Sequence, residues 1–296
     1  MASPSASLGY ESSFLTSDVP LSFPLDGRGV IRLDYVHFTV LLDPTRRLAA
    51  ATGVNIDGKL LVDVARSDGW HLDTRVPSEE QAGPDLYARN DLDRGHLVRR
   101  RDPVWGEPAA AANEDTFVYT NAAPQAADFN QSKELWLGLE DYLLGHAETY
   151  DTRLSVFTGP VLAPADVVYR GIAIPRMFWK VAVWTTTATS GSDVNANRPA
   201  GTPELAATGY LLDQTPQLDD IELERETALA AGAGDPPPLG PYRTFQVPIS
   251  EIAVATGLDL QQLVAADRLV ANTETRPDAR AEAAWIPLRT YSDIVR

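Results

Sequence analysis

Asn90-Asp91-Leu92-Asp93-Arg94-Gly95-His96-Leu97 and, about 25 residues on, Tyr119-Thr120-Asn121-Ala122-Ala123-Pro124-Gln125 are the stretches on which the reading of the fold turns. The first sets an arginine, a glycine and a histidine side by side after a turn. A histidine that is neutral near pH 7 suits a general base. An arginine beside it offers a planar fork of donors that matches phosphate. Glycine lets the backbone turn tightly next to the base. Asn121 is placed either to hydrogen-bond His96 or to fix the backbone around it. Taken singly, the box reads as an ordinary turn histidine and the Asn121 to Pro124 segment as turn chemistry.

Working outward, 30–41 alternates, with Val36, Phe38 and Val40 on one side, and predicts a strand. Residues 49–56 predict a second, closed by Asp57-Gly58, a hairpin-type turn signal. Residues 66–92 are polar and irregular. Strands are also expected at 116–120, 154–158 and 178–186. Residues 132–147 predict the clearest helix, with Leu135, Trp136, Leu139, Tyr142 and Leu143 on one face and Lys133, Glu134, Glu140 and Asp141 opposite. Polar Gly/Pro loops are expected at 189–203 and 231–242, and short helices from Ser250 and Asp259, both good N-cap residues. There is no internal repeat and no βαβ rhythm. The expectation is therefore an α+β fold: a loosely ordered lead-in over 1–29, then one domain over 30–296 with a largely antiparallel central sheet flanked by helices.

Composition narrows the function classes. The chain has 296 residues and no cysteine, so disulfides, thiolate catalysis and Cys-ligated zinc are excluded. No run approaches the ~20 apolar residues of a membrane span, and the expectation is no membrane partner. The start lacks the basic and apolar regions of a secretory signal. With the absence of cysteine this leans towards the cytoplasm, while a secreted chain cloned without its leader is compatible. The net charge of −16 opposes a packaging role on nucleic acid. Yet Arg94, Arg99, Arg100 and Arg101 fall close together, while acids gather at Asp213, Asp219, Asp220, Glu222, Glu224 and Glu226. A basic patch on an acidic body suits an enzyme that must release its product.

Of the four histidines, His37 reads as a packed or half-exposed strand residue, His71 as a surface loop residue and His146 as structural near a helix end. None has a partner at metal-ligand spacing. His96 differs by its company: Phe129-Asn130-Gln131 and then Leu139-Glu140 follow the two opening stretches in order. Together these boxes resemble the DNA/RNA non-specific endonuclease family, built on a ββα-metal finger. Tyr35 to Gly58, Phe157-Thr158-Gly159-Pro160, and Ile174-Pro175 with Phe178-Trp179-Lys180 resemble its bacterial branch. The resemblance covers roughly residues 20 to 290.

The resemblance implies cleavage of DNA and RNA with little sequence preference and 5′-phosphate products. His96 is the implied base and Arg94 the phosphate partner. Mg²⁺, or Mn²⁺ in its place, sits on Asn130 as its sole direct protein ligand, and Glu140 orients a metal-bound water or the surroundings of the histidine. Arg75 is matched to the upstream phosphate-contacting arginine, and Arg99 and Arg100 to substrate contacts. The spacing departs from the family's. Glu140 comes ten residues after Asn130 rather than eight, which on an ideal helix moves it from ~80° on one side to ~80° on the other. Glu134, ~40° around, is the rival acid for the metal site. Leu144 stands where the family places an arginine, and Arg99, Arg100 or Arg101 is the replacement charge. The plainer readings are an N-cap for Asn130, a solvated helix face for Glu140 and an exposed loop for Arg99 to Arg101. Two alternatives stay open: a catalytically silent nuclease-fold binding protein and a phosphodiesterase of small nucleotides. A homodimer and an inhibitor protein are compatible partners.

Overall fold

The computed structural model describes residues 8–126, 144–145, 147–148, 152–187, 203–216, 218, 243–270, 285–288 and 293–294. In chain order its strands are β1 Ile31–Tyr35, β2 Phe38–Asp43, β3 Leu48–Asp57, β4 Leu92–His96, β5 Ala122–Ala126, β6 Arg153–Val161, β7 Val167–Tyr169, β8 Ile172–Ile174, β9 Met177–Thr187, β10 Pro203–Asp213, β11 Arg243–Val247 and β12 Ile286–Pro287. The helices are α1 Pro84–Tyr87, α2 Ala109–Asp115, α3 Ile249–Thr256 and α4 Gln261–Ala265. Among the described residues the central sheet has eight strands in the order β1-β2-β3-β6-β9-β10-β11-β12. Every neighbour is antiparallel. The mixed fold with an antiparallel sheet and flanking helices is as expected.

Both faces of the sheet are covered. On one, Phe38, Val40, Val54, Val156, Phe178 and Tyr210 pack with Leu97, Val118 and Ala123 from the segments that follow β3 and build the site. On the other, Leu41, Phe157, Trp179, Val181 and Leu211 pack with the chain's start and with α3 and α4. A strand between two cores buries successive residues, so β2 and β3 are buried throughout rather than alternating. Residues 8–29, expected to be a loosely ordered lead-in, contribute Tyr10, Phe14, Leu15 and Val19 to the second core. Their irregular spacing gave no periodic sign of it. Among the described residues no helix is long and apolar enough to cross a membrane.

Several local expectations are corrected. The single strand over 30–41 is two strands joined at Val36-His37. His37 takes the left-handed backbone (φ +66°) at this turn. Tyr35 and Phe38 face each other and stack at 4.7 Å. The inward residues are therefore Leu33 and Tyr35, then Phe38, Val40 and Leu42, a parity change that a tight turn hides. His37 is buried against Trp105 at 3.4 Å, its Nδ1 2.8 Å from the Pro103 carbonyl. Asp57-Gly58 closes no hairpin: β3 pairs next with β6, and Gly58 opens a 3-10 turn. A Cβ there would meet the Ala147 carbonyl at 2.0 Å. Residues 116–120 end α2 and enter the 3-10 turn Tyr119–Asn121, and pairing begins only at Ala122. The C-terminal helices begin at Ile249 and Gln261, with Pro248 and Leu260 at the capping positions in place of Ser250 and Asp259. The Asp267 carboxylate accepts the Ile249 N–H instead (2.7 Å).

Of the helix expected at 132–147, only 144–145 and 147 are described, and they are helical. The remainder of it, His146 included, and the loops expected at 189–203 (up to 202) and 231–242 lie outside the described residues.

Candidate active site

The site grows from a two-stranded ribbon outside the central sheet. β4 and β5 pair antiparallel, with Arg94 opposite Pro124, Gly95 opposite Ala123 and His96 opposite Ala122. Pro124 cannot donate to a ladder and is tolerated in so short a ribbon. Residues two apart on a strand project from the same face, so Arg94 and His96 share one side and Gly95 takes the other. Gly95 is extended rather than turned, its φ lying outside the left-handed range. Glycine is needed for a different reason than the expected tight turn: the buried Gln125 side chain lies against it, and a Cβ would fall 2.1 Å from Gln125 Cδ. Gly95→Ala is expected to destabilise the protein by about 1–3 kcal/mol through overpacking. Adding Gln125→Ala should recover more than half of that loss in urea unfolding; no recovery would place the strain elsewhere.

Among the described residues no hydrogen bond joins Asn121 to His96. Asn121 is fully buried and clasps the chain just beyond His96. Its Oδ1 accepts the Val98 N–H (2.9 Å), and its Nδ2 donates to the carbonyls of Val98 (3.0 Å) and Thr116 (3.1 Å). The Asn121 carbonyl accepts the Leu97 N–H as well (2.9 Å). Of the two sequence readings, the structure shows the one in which Asn121 fixes the backbone.

His96 is half-buried in an aromatic wall, with Trp70 at 4.7 Å and Phe117 edge-on at 5.1 Å. Tyr119 stands behind Trp70 at 5.7 Å, and Tyr87 stacks on Tyr119 at 6.0 Å. His96 Nε2 is buried with no hydrogen-bond partner among the described residues. Burial first, then the charges of Arg66, Arg100 and Arg94, push the imidazole down to about 3. The ring is therefore neutral at pH 7. The unfolded chain, with an ordinary imidazole near 6.5, binds a proton that the folded protein refuses. Stability from this group thus declines as pH falls below about 6.5 towards 3. At pH 4.5 the wild type should have lost about 2 kcal/mol more, relative to pH 7, than His96→Gln. Parallel urea midpoints at both pH values would contradict this.

The arginines named in the sequence differ in their surroundings. Arg94 is exposed, with no hydrogen bond or ion pair among the described residues, and its guanidinium carbon lies 5.4 Å over the Trp70 ring. Arg100 is tied to the Val64 carbonyl (2.9 Å) and Asn113 Oδ1 (3.1 Å). Arg99 and Arg101 are half-buried beside it. Arg75 forks onto Asp73, donates to the Asp34 carbonyl and lies over the Tyr35 ring at 4.6 Å. It is not among the charges that act on His96, whereas Arg66 is. Arg66 sits over Phe117 and pairs with exposed Asp68 at 2.8 Å. That bond holds the Asp68 carboxyl below its usual range. Arg66 and Trp70 were missed because 66–92 has no period to read; their sole signal was an arginine and a tryptophan in a polar run. Leu144 is buried in the core, so its position is a packing one here. Asn130, Glu134 and Glu140 lie outside the described residues.

A profile of the DNA/RNA non-specific endonuclease family matches residues 20–267, most of the chain and all of the site described above. The chain belongs to the DNA/RNA non-specific endonuclease family. The matched span includes the β4–β5 ribbon that carries Arg94 and His96. Uncharacterized protein y4fB of Sinorhizobium fredii is 38% identical over 97% of this chain and 42% of its own length. Mitochondrial endonuclease G of Bos taurus is 33% identical over 38% of this chain and 40% of its own length. That of Homo sapiens is 29% identical over 65% and 56% respectively. The chain thus spans between about two-fifths and just over half of the length of these relatives. In the crystal structure of the EndoG/EndoGI complex, one chain matches with a TM-score of 0.52 at 17% identity, over 78% of this chain and 86% of that one. That likeness establishes a shared fold.

Proposed function

We propose that this chain is a metal-dependent, sequence-nonspecific endonuclease that hydrolyses phosphodiester bonds of DNA and RNA. The observation that carries the reading is the neutral His96 ring, whose Nε2 has no hydrogen-bond partner among the described residues, on the same strand face as Arg94, which has no ion pair among them. A base must be unprotonated and uncommitted to take a proton from water. His96 meets both conditions at pH 7. Arg94 keeps its donors open for a phosphate oxygen. Asn121 acts at one remove, holding the backbone that carries His96. Arg66 takes the place of Arg75 as the second phosphate contact, since among the described residues its ion pair is with a solvent-exposed carboxylate.

The metal expected in this family would be held by Asn130, with Glu134 or Glu140 contributing. Their donor chemistry fits Mg²⁺ or Mn²⁺: a neutral amide oxygen and a carboxylate are hard ligands, and such ions keep several waters. Among the described residues no three His, Cys, Asp or Glu side chains gather into a cage, and a hydrated ion on one protein oxygen asks for none. When bound, it supplies positive charge to the phosphoryl and leaving oxygens. The products proposed carry 5′-phosphate and 3′-hydroxyl ends. Little sequence preference follows from contacts to phosphates, which carry no base information. A homodimer and an inhibitor protein are included in the proposal; the related fold was crystallised as an EndoG/EndoGI complex.

The test is degradation of supercoiled plasmid and of structured RNA with Mg²⁺, with Mn²⁺ and with EDTA. Cleavage of both polymers that EDTA abolishes is the expected outcome. Salt-sensitive binding without cleavage would indicate a silent nuclease fold. Turnover of small phosphodiesters alone would indicate a small-nucleotide enzyme. Either would overturn the proposal.

A further inference from the structure

The face of β4 that carries Arg94 and His96 meets a single indole. Trp70 is half-buried and fixed from behind by Phe117 (5.4 Å) and Tyr119 (5.7 Å). It touches both functional side chains: the His96 ring at 4.7 Å and the Arg94 guanidinium at 5.4 Å. Long arginine side chains at a surface sample many rotamers, and something must select one. Asp68 feels the charge of Arg94 but is hydrogen-bonded by Arg66 at 2.8 Å. An ion pair would also consume the very donors that a phosphate needs. A π face holds the cation through its plane and leaves the N–H groups at the guanidinium edge open.

We propose that Trp70 is a positioning residue, whose indole face holds the Arg94 guanidinium ready for a backbone phosphate of the nucleic acid. This rests on the nuclease reading and adds to it the residue through which Arg94 is aimed. The proposed role is that the indole reaches the phosphate through Arg94 rather than by a contact of its own. Its worth should therefore depend on a π face at position 70 and on the presence of Arg94.

The experiment measures kcat and KM on DNA for the wild type, Trp70→Phe, Trp70→Leu, Arg94→Ala and the double variant Trp70→Leu/Arg94→Ala. Leucine fills space but has no π face. Trp70→Leu is expected to lose roughly ten-fold in kcat/KM and Trp70→Phe no more than about three-fold, the range expected of a partly desolvated cation–π contact. In the Arg94→Ala background the Trp70→Leu change should have little further effect. Should Trp70→Leu fail to melt as a folded protein, Trp70→Met provides the same contrast with phenylalanine. Equal activity of the leucine and phenylalanine variants overturns the inference. So does an undiminished loss from Trp70→Leu without Arg94. A wild type inert on DNA overturns the nuclease reading and the inference with it; an active wild type with either of the preceding results overturns the role of Trp70 alone.

Discussion

His96→Ala is expected to lower kcat for DNA cleavage by about 10²–10⁴-fold, the range for loss of a general base, while DNA affinity changes little. The reasons are local. His96 is the histidine set into the aromatic wall beside Arg94, and its ring is held neutral by burial and by the surrounding arginines. The other described histidines are committed elsewhere. His37 is stacked on Trp105 and bonded to the Pro103 carbonyl, and His71 is an exposed loop residue at the Gly69 carbonyl. Removing the imidazole leaves Arg94 and Asn121 in place, so the loss should appear in kcat rather than in KM. Single-turnover cleavage at saturating enzyme measures it directly. A loss below ten-fold would mean that another group takes the proton. Alanine also gives up the packing against Trp70 and Phe117, so the cleavage comparison is made well below the variant's unfolding range.

Asn121→Ala is expected to act the other way, through stability first. The side chain serves the Val98 N–H, the Val98 carbonyl and the Thr116 carbonyl, all within a region where Val98, Thr116 and Asn121 are buried. Each buried group left without a partner costs about 1–3 kcal/mol. Three of them should lower stability by about 4 kcal/mol after some relaxation, a fall of roughly 10 °C in Tm for a chain of this size. Asn121→Asp should be no better, because a carboxylate would face two carbonyl oxygens. Activity should fall with the loss of the clasp even below the unfolding range, since Leu97 and Val98 directly follow His96. A normal thermal midpoint for Asn121→Ala would show that water replaces the amide.

How much was legible in the sequence differs from element to element. The long strands β3, β6 and β9 were visible as apolar runs. The β4–β5 ribbon was visible because chemistry restricts its residues: an arginine, a glycine and a histidine in series, followed by an asparagine and a proline. The Val36-His37 turn was missed because Val36 is apolar and in step with Phe38 and Val40, so the even-numbered alternation reads straight through it. Arg75 and Arg66 could not be ranked, since both lie in an aperiodic run and only tertiary packing brings one of them to His96. Leu144 appeared as a missing charge and proved to be a core position.

The sequence by itself determined the family and the antiparallel α+β class, and it singled out His96 as the candidate base. These follow from local patterns, which neighbouring residues set by their own spacing and chemistry. Only the tertiary structure decided why Gly95 must be glycine, what Asn121 holds, which arginine stands near His96 and what supports Arg94. Each of those depends on a contact between segments far apart in the chain: Gln125 across a strand pair, Val98 and Thr116 on either side of a buried amide, and Trp70 brought against β4 from an irregular loop. Such contacts leave no period and no spacing in the sequence, because they are set by how the elements pack.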